Sequence, residues 1–208
     1  MMSVAVRMVS AMWLFESSCV VCHAPANGVC AVCVDRLLPP AVPPLLGIDQ
    51  ATVLCGYEGT GAELVTAVKF RNRRYVLTPL VDALVPSLTS EYDTIVSVPG
   101  NAMRVRERGF DLPALIAKRL SRRLGVPIST PLSRVDGGSQ IDRGRLERQG
   151  VEFRATDRVP ERVLLVDDVI TTGATAVACA VTLGLAGARS TSFVALAATP
   201  SPARSIVG

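Results

Sequence analysis

The segment from Val163 to Thr175, VLLVDDVITTGAT, constrains the fold of this chain more than any other stretch. Its aliphatic run has the length and composition of a buried strand, and it ends in two adjacent carboxylates, Asp167 and Asp168. A turn rich in threonine follows, and then a run of small residues that indicates a helix. A buried strand that leads straight into a helix is typical of α/β proteins, in which parallel strands are joined by crossover helices.

The remainder of the chain from residue 49 continues this alternation. The patterns predict strands at 51–59, 93–99, 125–130, 162–168 and 190–199, and helices at 61–71, 75–88, 112–125 and 173–188. Hydrophobic residues make up 49% of the 208 residues, charged residues 19% and aromatic residues 4%. We therefore expect an α/β fold with a central, mostly parallel sheet, flanking helices and an aliphatic core.

The carboxylates and the turn that follows them predict a binding site, because α/β sheets bind ligands beyond the carboxyl ends of their strands. Backbone N–H groups and threonine hydroxyls of 169–175 could wrap a phosphate where the helix begins, and Gly173 lets the backbone approach it. Two carboxylates would repel a phosphate that they faced. They suit paired hydroxyl groups instead, or a Mg²⁺ ion held through water. A ribose 5-phosphate carries both kinds of group.

This pattern, a hydrophobic strand followed by Asp-Asp-x-x-Thr-Thr-Gly-x-Thr, resembles the signature of the type I phosphoribosyltransferases, which bind phosphoribosyl pyrophosphate (PRPP). The resemblance implies that Asp167 and Asp168 hold the ribose hydroxyls and are catalytic residues. It also implies that the loop binds the 5′-phosphate through Val169, Ile170, Thr171, Thr172, Gly173, Ala174 and Thr175.

The segment after strand 93–99, GNAMRVRERGFDLP, supplies positive charge at the same edge of the predicted sheet. We interpret it as a loop on which Arg104, Arg106 and Arg108 alternate, and arginine binds phosphate oxygens in a bidentate manner. Its position resembles that of the pyrophosphate loop of phosphoribosyltransferases, so Pro99 and the three arginines are candidate PRPP contacts and Arg108 a catalytic residue. The alternative is a solvated basic loop.

A long polar stretch at 131–150, PLSRVDGGSQIDRGRLERQG, has the character of a lid. Type I phosphoribosyltransferases close a flexible loop over PRPP during the reaction, and this segment is placed to do so. The candidate lid residues are Arg134, Gln140, Arg143, Arg145 and Arg148. Solvated side chains are the alternative for each of them.

Two Cys-x-x-Cys pairs, Cys19 with Cys22 and Cys30 with Cys33, stand near the start of the chain. Four thiolates can close a tetrahedral Zn²⁺ site, which leaves no open position for catalysis and is therefore structural. Paired disulfides are the alternative, and a reducing cytoplasm opposes them. We expect residues 1–48 to contain an N-terminal helix, this zinc module and a proline-rich linker at 37–47, and residues 49–208 to form the catalytic domain.

The order of these motifs resembles that of the ComF family over nearly the whole chain. The resemblance is carried by the four cysteines and by Tyr57, Lys69, Phe70, Pro99, Arg108, Gly109, Phe110 and 167–175. It implies a phosphoribosyltransferase-like protein with Mg²⁺ and zinc, and some relatives act downstream of DNA uptake in natural transformation. The chain departs from the family at Asp111, where the family usually has asparagine, and in the lid.

Our hypothesis is transfer of a phosphoribosyl group from Mg²⁺–PRPP to an unknown acceptor, with release of pyrophosphate. The alternative is a non-catalytic PRPP sensor or a DNA-handling accessory protein. The basic patch KFRNRR at 69–74 and the net charge of +4 would suit single-stranded DNA or DNA-processing partners. A zinc-finger transcription factor would need a recognition helix that the sequence lacks. No apolar run is long enough for a membrane helix and no clear signal peptide is present, so we expect a cytoplasmic protein.

Overall fold

A computed structural model describes residues 18–88, 91–135, 152–156 and 158–200 of the chain. Its α-helices are α1 (Ala31–Asp35), α2 (Gly59–Phe70), α3 (Leu77–Leu84), α4 (Ala102–Arg108), α5 (Leu112–Leu124) and α6 (Ala174–Leu185). Its strands are β1 (Gln50–Gly56), β2 (Thr94–Ser97), β3 (Ile128–Ser129), β4 (Leu132–Arg134), β5 (Phe153–Ala155), β6 (Arg162–Val166), β7 (Val169–Ile170) and β8 (Ser190–Ala198). Short 3₁₀ turns at Arg74–Val76 and Val85–Ser87 flank α3.

The central sheet has the strand order β1-β8-β6-β2-β3, and all of its pairings are parallel. The short strand β7 pairs with the end of β8, beyond the point where β6 stops. Helices cover both faces of this sheet, so the predicted fold class is confirmed. The strand that carries the two aspartates at its end, β6, lies in the middle of the sheet.

Alternation along β6 explains how both faces are filled. Leu164 and Val166 belong to one hydrophobic cluster, which also contains side chains of α2, α3 and α5. Val163 and Leu165 belong to a second cluster, on the face that α6 covers. Because both faces of a parallel sheet are covered, its central strands are hydrophobic almost throughout. Phe193 alone is aromatic among the largest fully buried side chains of the described ranges, which agrees with the predicted aliphatic core.

The secondary structure differs from the prediction at 75–88 and beside the predicted lid. The helix predicted at 75–88 is shortened to α3 between two 3₁₀ turns, because Pro86 has no N–H to continue the helical hydrogen bonds. The antiparallel pair β4–β5 was not predicted. Its strands have three residues each, and β4 lies within the first residues of the stretch predicted as a lid. Such short strands are too brief for an alternating pattern to be recognised.

The cysteine module packs against the first hydrophobic cluster through Cys19, Val20, Val29 and Cys33. The proline-rich stretch at 37–47 contains no helix or strand, as its prolines predict. Its Val42 and Leu45 pack against the second cluster, so this stretch lies on the folded body of the protein. The boundary at residue 48 stays a prediction.

Several predictions fall on residues outside the described ranges. They are the N-terminal helix, as far as it falls within 1–17, and most of the lid. Among the helices that the structure does describe, none combines the length and apolar character needed to cross a bilayer.

Candidate functional site

Asp167 and Asp168 lie at the carboxyl end of β6, between β6 and β7. The backbone N–H of Asp167 donates to the Val194 carbonyl at 3.0 Å, and the carbonyl of Asp168 accepts from the N–H of Leu196 at 3.1 Å. The backbone of the aspartate pair is therefore held against β8, the neighbouring strand. The N–H of Asp168 also donates to Oδ1 of Asp167 at 2.7 Å, which orients the first carboxyl group.

A lysine from another part of the chain reaches this pair. Lys69, in the last turn of α2, places its Nζ 2.8 Å from Oδ1 of Asp168. The two side chains are only 14% and 15% exposed, so water screens their attraction weakly. Lys69 thereby holds one oxygen of Asp168 and leaves the other available to a ligand. The sequence placed Lys69 in the family resemblance and in the basic patch at 69–74. Its pairing with Asp168 shows that it belongs to this site and does not contribute to an exposed basic patch.

The Asp167 carboxyl group has an unusual acidity. Burial raises its pKa to about 7, and the neighbouring charge of Asp168 acts in the same direction, while the N–H of Asp168 and the charge of Lys69 oppose the shift. A carboxyl group of this kind is ionised only in part at neutral pH. A cation or a hydrogen-bond donor that enters the site would favour its ionised form.

The pair opens into a cavity of about 380 Å³. Its other described lining residues include Lys69, Pro99, Gly100, Asn101, Arg104, Arg108, Asp111, Arg134, Val169 and Thr175. The structure thus joins the acidic strand end, the arginine segment and the base of the predicted lid around one space. Gln140, Arg143, Arg145 and Arg148 lie outside the described residues.

The arginine segment is helix α4, so the prediction of a loop was wrong. The Asn101 side chain caps its start by accepting the N–H groups of Met103 at 3.1 Å and Arg104 at 3.2 Å, and Gly109 ends it with φ of 77°. Residues four apart share one face of a helix, so Arg104 and Arg108 both line the cavity. Arg106, two residues from each, does not line it.

Asp111 adds a third carboxyl group that the sequence analysis noted only as a departure from the family pattern. Its Oδ2 accepts the N–H of Gly100 at 3.3 Å, and this bond ties the start of α5 to the segment before α4. Its Oδ1 is buried and has no hydrogen-bond partner among the described residues. Burial also raises the pKa of Asp111, although the N–H groups of Gly100 and Ala114 oppose the shift.

The turn at 171–173 lies between the cavity that contains Asp167 and Asp168 and the proline-rich stretch at 37–47. Gly173 has φ of 79° and precedes α6, and a Cβ at this position would lie 2.5 Å from Cδ2 of Leu45. Thr171 and Thr172 are exposed and line a second cavity of about 290 Å³, while Thr175 lines the first. Position 173 therefore requires glycine for two reasons, which are its left-handed backbone conformation and the close approach of the Leu45 side chain.

Three carboxyl groups near the first cavity could contribute oxygen ligands to a cation. Asp111, Asp167 and Asp168 provide hard carboxylate oxygens, and the buried Oδ1 of Asp111 is free to accept. Within the described ranges only the four cysteines lie close enough to ligate one ion together. The three carboxyl groups are therefore too far apart to ligate one ion together, and a magnesium ion in this cavity could reach them only in part or through its water ligands.

The four cysteines form a compact cluster. Their sulfur atoms all lie within 4.8 Å of one another, and Sγ of Cys22 is 3.6 Å from Sγ of Cys30. Tetrahedral zinc with bonds of about 2.3 Å would place its sulfur ligands about 3.8 Å apart. Burial raises the pKa of Cys19, but N–H groups of Cys22, Cys30 and Val21 more than offset this and bring it to about 6. These four residues could hold a structural zinc ion, as predicted.

No protein-family model matches the chain, and no curated protein sequence matches it. Among solved structures, the chain is similar to the purine phosphoribosyltransferase of Pyrococcus horikoshii, with 25% identity and a TM-score of 0.40 over 59% of this chain and 73% of that one. It is also similar to the Thermus thermophilus protein TT1426, with 18% identity and a TM-score of 0.36 over 67% of this chain and 87% of that one. The parallel sheet flanked by helices is the architecture that a resemblance to type I phosphoribosyltransferases implies.

Proposed function

We propose that this protein is a phosphoribosyltransferase-like enzyme of the ComF type, which binds Mg²⁺–PRPP and transfers the phosphoribosyl group to an acceptor. One observation supports the proposal above all. A single cavity joins Asp167, Asp168 and Thr175 with the cationic side chains of Lys69, Arg104 and Arg108. PRPP has hydroxyl groups at its centre and phosphates at both ends, and this arrangement provides a partner for each.

The ribose 5-phosphate part would occupy the strand end and the turn after it. The 5′-phosphate would accept from backbone N–H groups and hydroxyls at 171–175, where the start of α6 carries partial positive charge. The ribose 2′- and 3′-hydroxyls would donate to the carboxylates of Asp167 and Asp168. Because Lys69 holds Oδ1 of Asp168, the orientation of that carboxylate is set before the ligand arrives.

The pyrophosphate would lie against α4. Arg104 and Arg108 would neutralise its charge on one side, and the backbone of 99–101, which lines the same cavity, would contact it on the other. When the bond between C1 of ribose and the pyrophosphate oxygen breaks, its electron pair leaves with pyrophosphate. The acceptor gives a lone pair to C1, forms the new bond and loses a proton. The arginines stabilise the charge that develops on the leaving group, a contribution on the order of several kcal/mol.

Bound magnesium would add positive charge at the leaving group and help to orient it. The chain's own part is to keep three carboxyl groups near this space and to tune their acidity. Asp167, with its pKa of about 7, would release its remaining proton when the ribose hydroxyls donate to its carboxylate, because hydrogen bonds to the charged form of a carboxyl group lower its pKa. Ligand binding near pH 7 should therefore be accompanied by proton release, which calorimetry in buffers of different ionisation enthalpy detects.

The test is calorimetric titration of Mg²⁺–PRPP into a variant that combines Asp167→Asn with Asp168→Asn. Loss of binding is expected, because each amide has one acceptor oxygen and no charge, whereas each carboxylate offers two charged acceptor oxygens to the paired hydroxyls. The matched control combines Asp82→Asn with Glu91→Gln, which removes two exposed carboxylates that pair with surface arginines. Unchanged PRPP binding in the first variant would contradict the assignment.

The second candidate is a non-catalytic PRPP sensor or DNA-handling accessory protein in the cytoplasm. The observation that favours it is the exposed run 70–74, in which Arg71, Arg73 and Arg74 face solvent. Single-stranded DNA would be bound there through its phosphates, with an affinity that falls steeply as salt rises. A shallow salt dependence together with pyrophosphate release in an acceptor screen would exclude this candidate.

A further inference from the structure

The proline-rich stretch at 37–47 is bound to the central sheet near both of its ends. At one end, the Leu38 carbonyl accepts the N–H of Gly56, the last residue of β1, at 3.1 Å. At the other, Asp49 donates its N–H to the Thr191 carbonyl at 2.9 Å, and its Oδ2 accepts the N–H of Thr191 at 2.9 Å. Because Thr191 lies at the start of β8, which is parallel to β1, the two anchors lie at opposite edges of the sheet. The stretch therefore crosses the sheet from its carboxyl edge to its amino edge.

A tight turn fixes one leucine of this stretch. The N–H of Ile48 donates to the Leu45 carbonyl at 3.1 Å, and Gly47 between them has φ of 74°. Val42, Leu45 and Ile48 pack against the second hydrophobic cluster, on the face of the sheet that α6 covers. Leu46, which follows Leu45 directly, is 75% exposed. The two adjacent leucines therefore have different surroundings, and only Leu45 belongs to the packed face.

The Leu45 side chain lies directly against Gly173. Its Cδ2, Cδ1 and Cγ atoms lie 2.5, 3.6 and 3.6 Å from the position that a Cβ on residue 173 would take. Gly173 is buried, whereas Thr171 and Thr172 of the same turn are exposed. Leu45 thus closes the inner side of the turn and leaves its outer side open. A side chain packed this closely limits the movement of the backbone that it contacts.

The turn at 171–173 has few hydrogen bonds of its own. It is bonded where it begins, because the Ile170 carbonyl accepts the N–H of Thr199 at 2.9 Å, and where it ends, because the Gly173 carbonyl accepts the N–H of Val177 at 2.9 Å. Within the described part of the chain, the N–H groups of residues 171–173 donate to no acceptor. The proposed function assigns these donors to the 5′-phosphate. Since hydrogen bonds do not set their direction, packing beneath the turn has to do so.

We propose that Leu45 is a positioning residue for phosphate binding, which supports the turn at 171–173 in the shape that binds the 5′-phosphate. This inference rests on the proposed function, which puts that phosphate on the turn. Leu45 carries no group that can bind a phosphate, so its influence passes through Gly173. The pyrophosphate would lie against α4, in a cavity whose described lining does not include Leu45. Removal of the Leu45 side chain should therefore affect the two ends of PRPP unequally.

Two fragments of PRPP test the two ends separately. Ribose 5-phosphate reports on the turn, and pyrophosphate with Mg²⁺ reports on the arginines of α4. Each is titrated calorimetrically into the full-length, zinc-loaded protein. In Leu45→Ala the dissociation constant for ribose 5-phosphate should rise about tenfold, because binding groups must be held within a fraction of an ångström of their productive places. The dissociation constant for pyrophosphate should change less than about twofold, since distant sites act independently.

Two further variants separate positioning from a general effect on the fold. Leu45→Met keeps the volume of the side chain and should restore most of the lost affinity for ribose 5-phosphate. Leu46→Ala removes the same atoms from the exposed neighbour and should leave both dissociation constants unchanged. Thermal unfolding shows whether each variant is folded. If Leu45→Ala does not fold, Leu45→Val takes its place, because it removes only one methylene group and should change the same dissociation constant in the same direction.

Selective loss of ribose 5-phosphate binding in Leu45→Ala, with rescue by Leu45→Met, supports the inference. An equal loss of affinity for both fragments would show a general effect on the fold, and no loss for either would show that the turn keeps its shape without Leu45. Both of these results would overturn the inference and leave the proposed function standing. If the parent protein binds neither ribose 5-phosphate nor Mg²⁺–PRPP, the proposed function fails and the positioning role fails with it.

Discussion

The cysteine cluster and the aspartate cavity both bring together acidic side chains, but they are built in different ways. The cluster draws four soft thiols from two Cys-x-x-Cys pairs within 15 residues of chain and closes them around one point. The cavity draws hard oxygens and cations from α2, α4, α5 and the end of β6, and it stays open. A closed thiol site stabilises structure, whereas an open oxygen site can admit a ligand.

The largest effect should follow removal of metal from the cysteine cluster. Cys19 and Cys33 lie in the first hydrophobic cluster, so a chelator should unfold the module and expose part of that cluster. Cys22→Ser should abolish a stoichiometry of about one zinc per chain, since four thiolates close one site. Elemental analysis measures the zinc content of each variant, and thermal unfolding measures its stability with and without the chelator. Cys55→Ala is the control, because the Cys55 thiol donates to the Leu196 carbonyl and lies outside the cluster. An equal loss of zinc in Cys55→Ala would contradict a site made of the four cysteines.

Removal of the lysine from the cavity should produce the next largest effect. Lys69→Met leaves Asp168 without its partner in a space that is largely closed to water, so we expect a loss of about 3 kcal/mol in the free energy of unfolding. Arg123→Met removes the partner of Asp82 from an exposed pair and should cost less than about 1 kcal/mol. Chemical denaturation compares the two variants. If both variants lose a similar free energy of unfolding, the buried ion pair of the cavity contributes no more to stability than the exposed pair, which would contradict this prediction.

The buried charge of Asp167 should lower the free energy of unfolding at neutral pH. Its folded pKa of about 7 lies above the ordinary value of 3.8, so the folded state holds a proton that the unfolded state has released. Stability should therefore fall as pH rises from about 4 to about 7 and then level off. Asp167→Asn should stabilise the protein at pH 8 by on the order of 2 kcal/mol and have little effect near pH 4.

Thermal unfolding of both proteins across this pH range measures the difference. A variant that is less stable than the parent at pH 8 would contradict the raised pKa of Asp167. The same substitution should weaken PRPP binding, so stability and binding are expected to change in opposite directions. This opposition is characteristic of a functional site and is absent from a structural metal site.

The smallest effects should distinguish the faces of α4. Arg104→Ala and Arg108→Ala should each weaken Mg²⁺–PRPP binding about tenfold or more, since each removes a charged partner of phosphate. Arg106→Ala should change the affinity less than about twofold, because Arg106 does not line the cavity. Calorimetry resolves this difference. An equal loss of PRPP affinity in all three variants would contradict helix α4 and would favour the loop predicted from the sequence.

The two regions also differ in how far the sequence alone could predict them. The cysteine spacing and the Asp167–Thr175 run are local patterns. In the structure the four sulfur atoms lie together, and the run begins at the carboxyl end of β6. The Lys69–Asp168 pair joins residues 99 positions apart, so it follows from topology and no local motif indicates it. Helix α4 was missed because its strongly charged sequence lacks an apolar face, and its start depends on the Asn101 cap.

The approach of the proline-rich stretch to the phosphate turn could not be predicted either. Its prolines indicate extended backbone, but they do not show which surface the chain will follow. Only the fold brings Leu45 against Gly173. The role of Asp111 was hidden for a similar reason, since its hydrogen bond to Gly100 depends on how α4 returns to the start of α5.

The central claim is that the cavity at the end of β6 binds PRPP with magnesium. The most direct measurement is calorimetric titration of the zinc-loaded protein with PRPP, with and without Mg²⁺. The account predicts saturable binding at one site per chain that requires Mg²⁺ and releases protons near pH 7. The absence of measurable binding in both conditions would contradict it.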